Sequence, residues 1–178
     1  MTPRNTVNEL ADGLRVSRHG GDGTWSWWVV VPTTGGPATH VAQGPFSLVV
    51  TGDLASMLFE RPGGIVPDFI NRDLETGVTQ KCRAGDMWEY NQAKARTDLL
   101  AAVETLRDDG LDPDEVDARA REAKELDFSD ERAVHEWYRD YIDQGGDYPY
   151  LGRQLTHEFL RACACIEVVR RFQVSAGT

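Results

Sequence analysis

The chain has 178 residues, 40% hydrophobic and 27% charged, proportions that suit a soluble globular protein with a real core. Its 29 acidic and 19 basic residues give a formal net charge of −10, which disfavours direct contact with nucleic-acid phosphates. No apolar run reaches the ~20 residues that cross a bilayer, and Met1 to Asn5 lead into polar sequence rather than an apolar leader. The expectation is cytoplasmic residence without membrane contact.

In chain order, Leu14 to His19 reads as a strand, Gly20 to Gly23 as a turn, and Trp25 to Val31 as a second strand rich in aromatic and β-branched residues. On that strand Trp25, Trp27, Val29 and Val31 share one face and Trp28 and Val30 the other. Apolar residues on both faces predict a central strand. Pro32 to Pro37 is a loop. His40 to Gln43, Phe46 to Thr51 and Met57 to Glu60 follow as short strands, separated by Gly44-Pro45 and Gly52-Asp53. Such short connections predict an antiparallel meander. The stretch 62–85 reads as a linker, with Ile65, Val66, Phe69 and Ile70 offering one helical turn limited by Pro67.

From residue 86 the pattern turns helical. Asp86-Met87-Trp88-Glu89 has capping-box spacing, and the helix it predicts buries Leu99, Val103 and Leu106 before Gly110 stops it. Asp112-Pro113 starts a second helix, carrying Val116, Ala120 and Ala123. Ser129 starts a third, with Val134, Trp137, Tyr138, Tyr141 and Ile142 as an apolar stripe, and Gly145 to Pro149 breaks the chain. The last helix, 154–172, sets Leu155, Phe159, Ala162, Cys163, Ile166 and Val169 on one face and is expected to seal the sheet. The reading is one α+β domain over 1–178. An N-terminal antiparallel meander of four or five strands (10–62) and the linker (62–85) precede about four helices (86–173).

The acidity is local. Between Asp98 and Asp147 there are 17 acidic against 6 basic residues, so this segment alone carries −11. Asp108, Asp109, Asp114, Glu115, Asp117, Glu122, Glu125, Asp130 and Glu131 are the candidate interaction surface, suited to a basic partner. The alternative reading of the same residues is a solvated face that confers solubility.

Few patterns carry chemistry. Three cysteines, an odd number, argue for buried thiols in a reducing compartment rather than a disulfide framework. His19, His40, His135 and His157 make no metal-binding spacing. Ser56 sits in no nucleophile elbow, and no phosphate-cradling loop is present. No catalytic residue, metal or cofactor is assigned. Gly52-Asp53 reads first as a turn. Its sharper reading puts Asp53 and Arg61 on adjacent strands as acceptor and donor around a ligand, with Trp88 nearby for a base to stack on. The tryptophans are otherwise core residues.

Ser47 to Thr51, Gly52-Asp53 and Phe59-Glu60-Arg61 together resemble the hydrophobic strand, Gly-Asp and Phe-x-Arg signature of an uncharacterised family of small bacteriophage and prophage proteins. Met87-Trp88-Glu89 resembles that family's Trp-bearing helix start, and Phe159 to Ile166 its closing aromatic and cysteine-containing helix. The matching positions are Gly52, Asp53, Phe59, Arg61 and Trp88; Ala55 stands where relatives usually have Gly. The resemblance implies a phage accessory role in the host cytoplasm, including inhibition of a host defence system. Combined with the acidic segment, it leads to a non-enzymatic protein that occupies the basic nucleic-acid groove of a host protein. A small-ligand or nucleotide site at Asp53, Arg61 and Trp88, which sequesters or hydrolyses its ligand, and a structural or assembly role are the alternatives.

Overall fold

A computed structural model describes residues 2–60, 74–142 and 151–176, with only the backbone of Glu75 and Thr76. The fold is α+β. Among the described residues the order is α1 (Pro3–Asp12), β1 (Leu14–Gly21), β2 (Ser26–Pro32), β3 (Thr39–Gln43), β4 (Ser47–Gly52) and β5 (Met57–Glu60). After two short helical turns (Leu74–Val78 and Thr79–Lys81) come β6 (Cys82–Ala84), β7 (Trp88–Tyr90), α2 (Gln92–Asp108), α3 (Pro113–Glu125) and α4 (Glu131–Tyr141). β8 (Arg153–Leu155) and α5 (His157–Ala176) complete it. The contacts gather into two compact units, residues 1–87 with 155–178 and residues 88–154.

The first unit is built on a six-stranded antiparallel meander in the order β1-β2-β3-β4-β5-β6. Alternation explains its core. Trp28 and Val30 of β2, Val41 of β3, Leu48 and Val50 of β4, and Met57 and Phe59 of β5 are all buried, while their neighbours in sequence turn outward. α5 lies on that inner face with α1 beside it. Its residues from Ala162 to Val169 are buried all round, as expected for a helix covered on more than one side. The Phe59 and Phe159 rings meet at 6.1 Å between centroids with a 56° tilt, joining sheet to helix. Neither α1 nor β6 is foreseen in the sequence reading. α1 starts where Thr2 accepts the Asn5 amide proton and Pro3 takes the first helical position.

A buried ion cluster ties α1 to α5. The Glu167 side chain is 2% exposed and accepts from Arg170 at 2.6 and 2.8 Å and from Arg171 at 3.0 Å. Arg4 of α1 stands 3.7 Å away, and Arg171 also bonds Asp12 of α1 at 2.6 Å. Burial opposes ionisation of Glu167, but the hydrogen bonds from Arg170 and Arg171 outweigh it and hold the carboxyl below its ordinary pKa.

The second unit packs α2, α3 and α4 around Ala95, Leu99, Val103, Val116, Ala123, Phe128, Val134 and Leu151. The expected capping box at Asp86 to Glu89 is not there. Trp88 and Glu89 belong to β7, which pairs with β8, and the helix begins only after Asn91, whose side chain accepts the Lys94 amide proton at 2.8 Å. The Asp-x-x-Glu spacing was matched, but Gly85 at φ +107° turns the chain and Trp88-Glu89-Tyr90 alternates as a strand does. Two other helix starts shift by a few residues. Asp130 rather than Ser129 caps α4, and α5 begins at His157, leaving Leu155 in β8. The expected turn at Ile65 to Ile70 and the break at Gly145 to Pro149 lie outside the described residues.

Candidate interaction surface

The nine acidic residues singled out in the sequence are all exposed. Their placement follows from local folding. Asp108 and Asp109 end α2, and Gly110 (φ +87°) turns the chain away. In α3, Val116 and Ala123 face the apolar cluster, so Asp114, Asp117, Glu122 and Glu125 stand on the solvent side with Arg121 and Lys124 among them. Asp130 caps α4 by accepting the Ala133 amide proton at 3.1 Å, and Glu131 occupies the first turn, where the helix dipole favours it.

Two of the nine charges are compensated locally. Arg107 bonds Asp117 at 2.7 Å and Arg119 bonds Glu115 at 2.6 Å. Each is an exposed pair worth at most about 1 kcal/mol. For the other seven no ion pair is found among the described residues. Residues 88–154 contain 18 acidic and 9 basic residues, a net of −9, whereas the first unit holds 11 and 10, a net of −1. The field is felt inside the unit. The Tyr90 phenol is pushed above its ordinary pKa by burial first, then by Glu131, Asp130 and Asp127.

Along α3, five carboxylates from Asp114 to Glu125 span about 16 Å of helix axis, or one per ~4 Å. The phosphates of one DNA strand recur every ~3.4 Å of axis. The match is in linear density. It is interrupted by Arg121 and Lys124 and reduced by the pairs at Glu115 and Asp117.

The other sequence candidates fare differently. Arg61 lies outside the described residues. Asp53 is exposed in the first unit, and Trp88 is half-buried in the second. Gly52 is required by packing: at φ +145° an added Cβ would come within 2.6 Å of the Ala38 carbonyl oxygen. Beside it, the buried Thr39 hydroxyl accepts the Leu54 amide proton at 3.3 Å. Gly52 thus has a structural explanation in the close approach of β3. The tryptophans divide: Trp28 is core, but Trp25 and Trp27 are exposed, contrary to the expectation that they are core residues. All three cysteines are buried, free thiols, with burial raising Cys82 and Cys163 and pushing Cys165 up to about 12. Among the described residues no group of three His, Cys, Asp or Glu is arranged to hold a metal ion, and no helix is long and apolar enough to cross a membrane.

The chain matches no family model, no curated protein and no solved structure.

Proposed function

We propose that the protein is a binding protein whose acidic helical unit docks on the basic surface of a host macromolecule. That surface is the groove of a nucleic-acid-binding defence component, which the carboxylates of α3 and its neighbours occupy in place of phosphates. The observation that carries the reading is the segregation of charge: a net of −9 in residues 88–154 against −1 in the rest, with the singled-out carboxylates exposed. A solvated face alone needs no such asymmetry. The resemblance of Gly52, Asp53 and Phe59 to the phage family's signature supplies the setting, an accessory protein acting inside an infected bacterium.

The test reverses four charges whose side chains make neither a helix cap nor an ion pair among the described residues: Asp109→Lys, Asp114→Lys, Glu122→Lys and Glu125→Lys. Partner capture from bacterial lysate at low salt is expected with the native chain and lost with the reversed one, while the circular dichroism spectrum stays unchanged. Capture of the same partner by both chains contradicts the proposal.

A further inference from the structure

We infer that the outer face of the β-sheet is a stacking platform for single-stranded nucleic acid, with Trp25 and Trp27 taking bases and Arg15 and Arg18 taking phosphates. This surface belongs to the first unit and does not depend on the acidic helices. The net charge that argues against nucleic acid for the whole chain belongs almost wholly to the other unit.

Three observations converge. First, Trp25 and Trp27 are 40% and 42% exposed, and Phe46 nearby in the β3–β4 turn is 75% exposed. Trp27 lies across Gly20, where an added Cβ would come within 2.6 Å of the indole, and Trp25 lies across Gly44, where it would come within 2.7 Å. Each ring therefore lies against a glycine backbone while about two-fifths of the residue stays exposed. Asp22 accepts the Thr24 and Trp25 amide protons at 2.9 and 2.8 Å and fixes the turn that carries Trp25. The two tryptophans are two residues apart on an extended chain, about 6.6 Å, enough for a separate base on each.

Second, a β-bulge aims the arginines. Arg15 pairs with Val31 and Val16 with Val30, but the register then slips at Ser17, so that Arg18 pairs with Val29 and Gly20 with Trp27. Residues directly opposite in an antiparallel pair share a face. Without the extra residue, Arg18 would point with Val16 toward the core. With it, Arg15 and Arg18 both stand on the outer face, in a row beside Val31, Val29 and Trp27.

Third, the charges on this face fit a polyanion. Neither Arg15 nor Arg18 has an ion pair among the described residues, and the carboxylate of Glu60 on the same face is occupied by Arg83. The carboxylate beside Trp25, that of Asp22, accepts the Thr24 and Trp25 amide protons through one oxygen. Two open guanidiniums beside flat indoles suit bases and phosphates.

The experiment is a tryptophan-fluorescence titration of the full chain with oligothymidylate of about 8 nucleotides, in about 50 mM salt and upward. Quenching is expected, with Kd weakened about tenfold by Trp27→Ala or Trp25→Ala. The double change Arg15→Glu, Arg18→Glu, at exposed edge-strand positions, keeps the fold. It is expected to weaken binding and to reduce the salt slope of log K by about 1.4, the value for two single-strand phosphate contacts. Absence of quenching overturns the inference. So does binding indifferent to the arginine pair, thymidine monophosphate binding as tightly as the oligomer, or sedimentation showing that the tryptophans are covered by a second copy.

Discussion

Replacing Glu167 by Gln removes the buried carboxylate that Arg4, Arg170 and Arg171 share in the cluster joining α1 to α5, and leaves Asp12 on Arg171. The shape is kept, but the guanidiniums lose this shared counter-charge and face an amide that donates protons toward them. Breaking a fully buried ion pair from one side costs roughly 3–5 kcal/mol. Here the arginines are a quarter to a third exposed and regain water, so about 2–3 kcal/mol is expected. For a chain of this length that lowers Tm by roughly 4–12 °C. The pH dependence follows from the depressed pKa. A carboxylate whose folded pKa lies below its unfolded one stabilises fully above the unfolded value, and that contribution disappears as pH falls through the folded one. Native and Glu167→Gln chains should thus differ most near neutrality and converge in acid. Calorimetry or urea unfolding at stepped pH values measures this. A variant within about 0.5 kcal/mol of the native chain at neutral pH, or a difference that grows on acidification, would refute the reasoning.

Other expected outcomes test the fold. Gly52→Ala forces a Cβ against the Ala38 carbonyl at positive φ and should destabilise by more than about 1 kcal/mol in urea unfolding, whereas Asp53→Ala, exposed in the same turn, should change stability by less than about 0.5 kcal/mol. Asn91→Ala removes the cap of α2 and should cost about 1 kcal/mol by the same assay. Cys82, Cys163 and Cys165 should resist a thiol reagent at mildly alkaline pH until denaturant is added, when all three react; rapid labelling of the folded chain would contradict their burial.

Much of the sheet was legible because its signals are local. The five strands from Leu14 to Glu60 emerge within about two residues of their ends, since apolar alternation and Gly or Pro punctuation operate over a few residues. The same holds for Asp112-Pro113 at the start of α3. The return of the last helix to the inner face of the sheet was legible from its apolar face, and the approach of Phe172 to His19, with ring centroids 4.9 Å apart, illustrates it. That residues 88–154 gather into a unit of their own rests on contacts between positions far apart in sequence. Trp88 was misassigned because a capping-box spacing and a short strand share the same residues, and only pairing with β8 decides between them. At the candidate surface, exposure of the carboxylates could be read from composition, but the compensation of Asp117 by Arg107 across two helices could not. Nor could the outward turn of Trp25 and Trp27, which rests on Gly20 in β1 and Gly44 in the β3–β4 turn; the signal available was those two glycines near a Trp-rich strand.

The most direct measurement of the central claim compares lysate capture by the native chain and the four-fold charge-reversed chain across a salt series, with the retained proteins identified by mass spectrometry. One retained nucleic-acid-binding protein is expected, released by salt, displaced by its own nucleic acid, and absent from the reversed chain. Retention that is insensitive to both salt and charge reversal would contradict it.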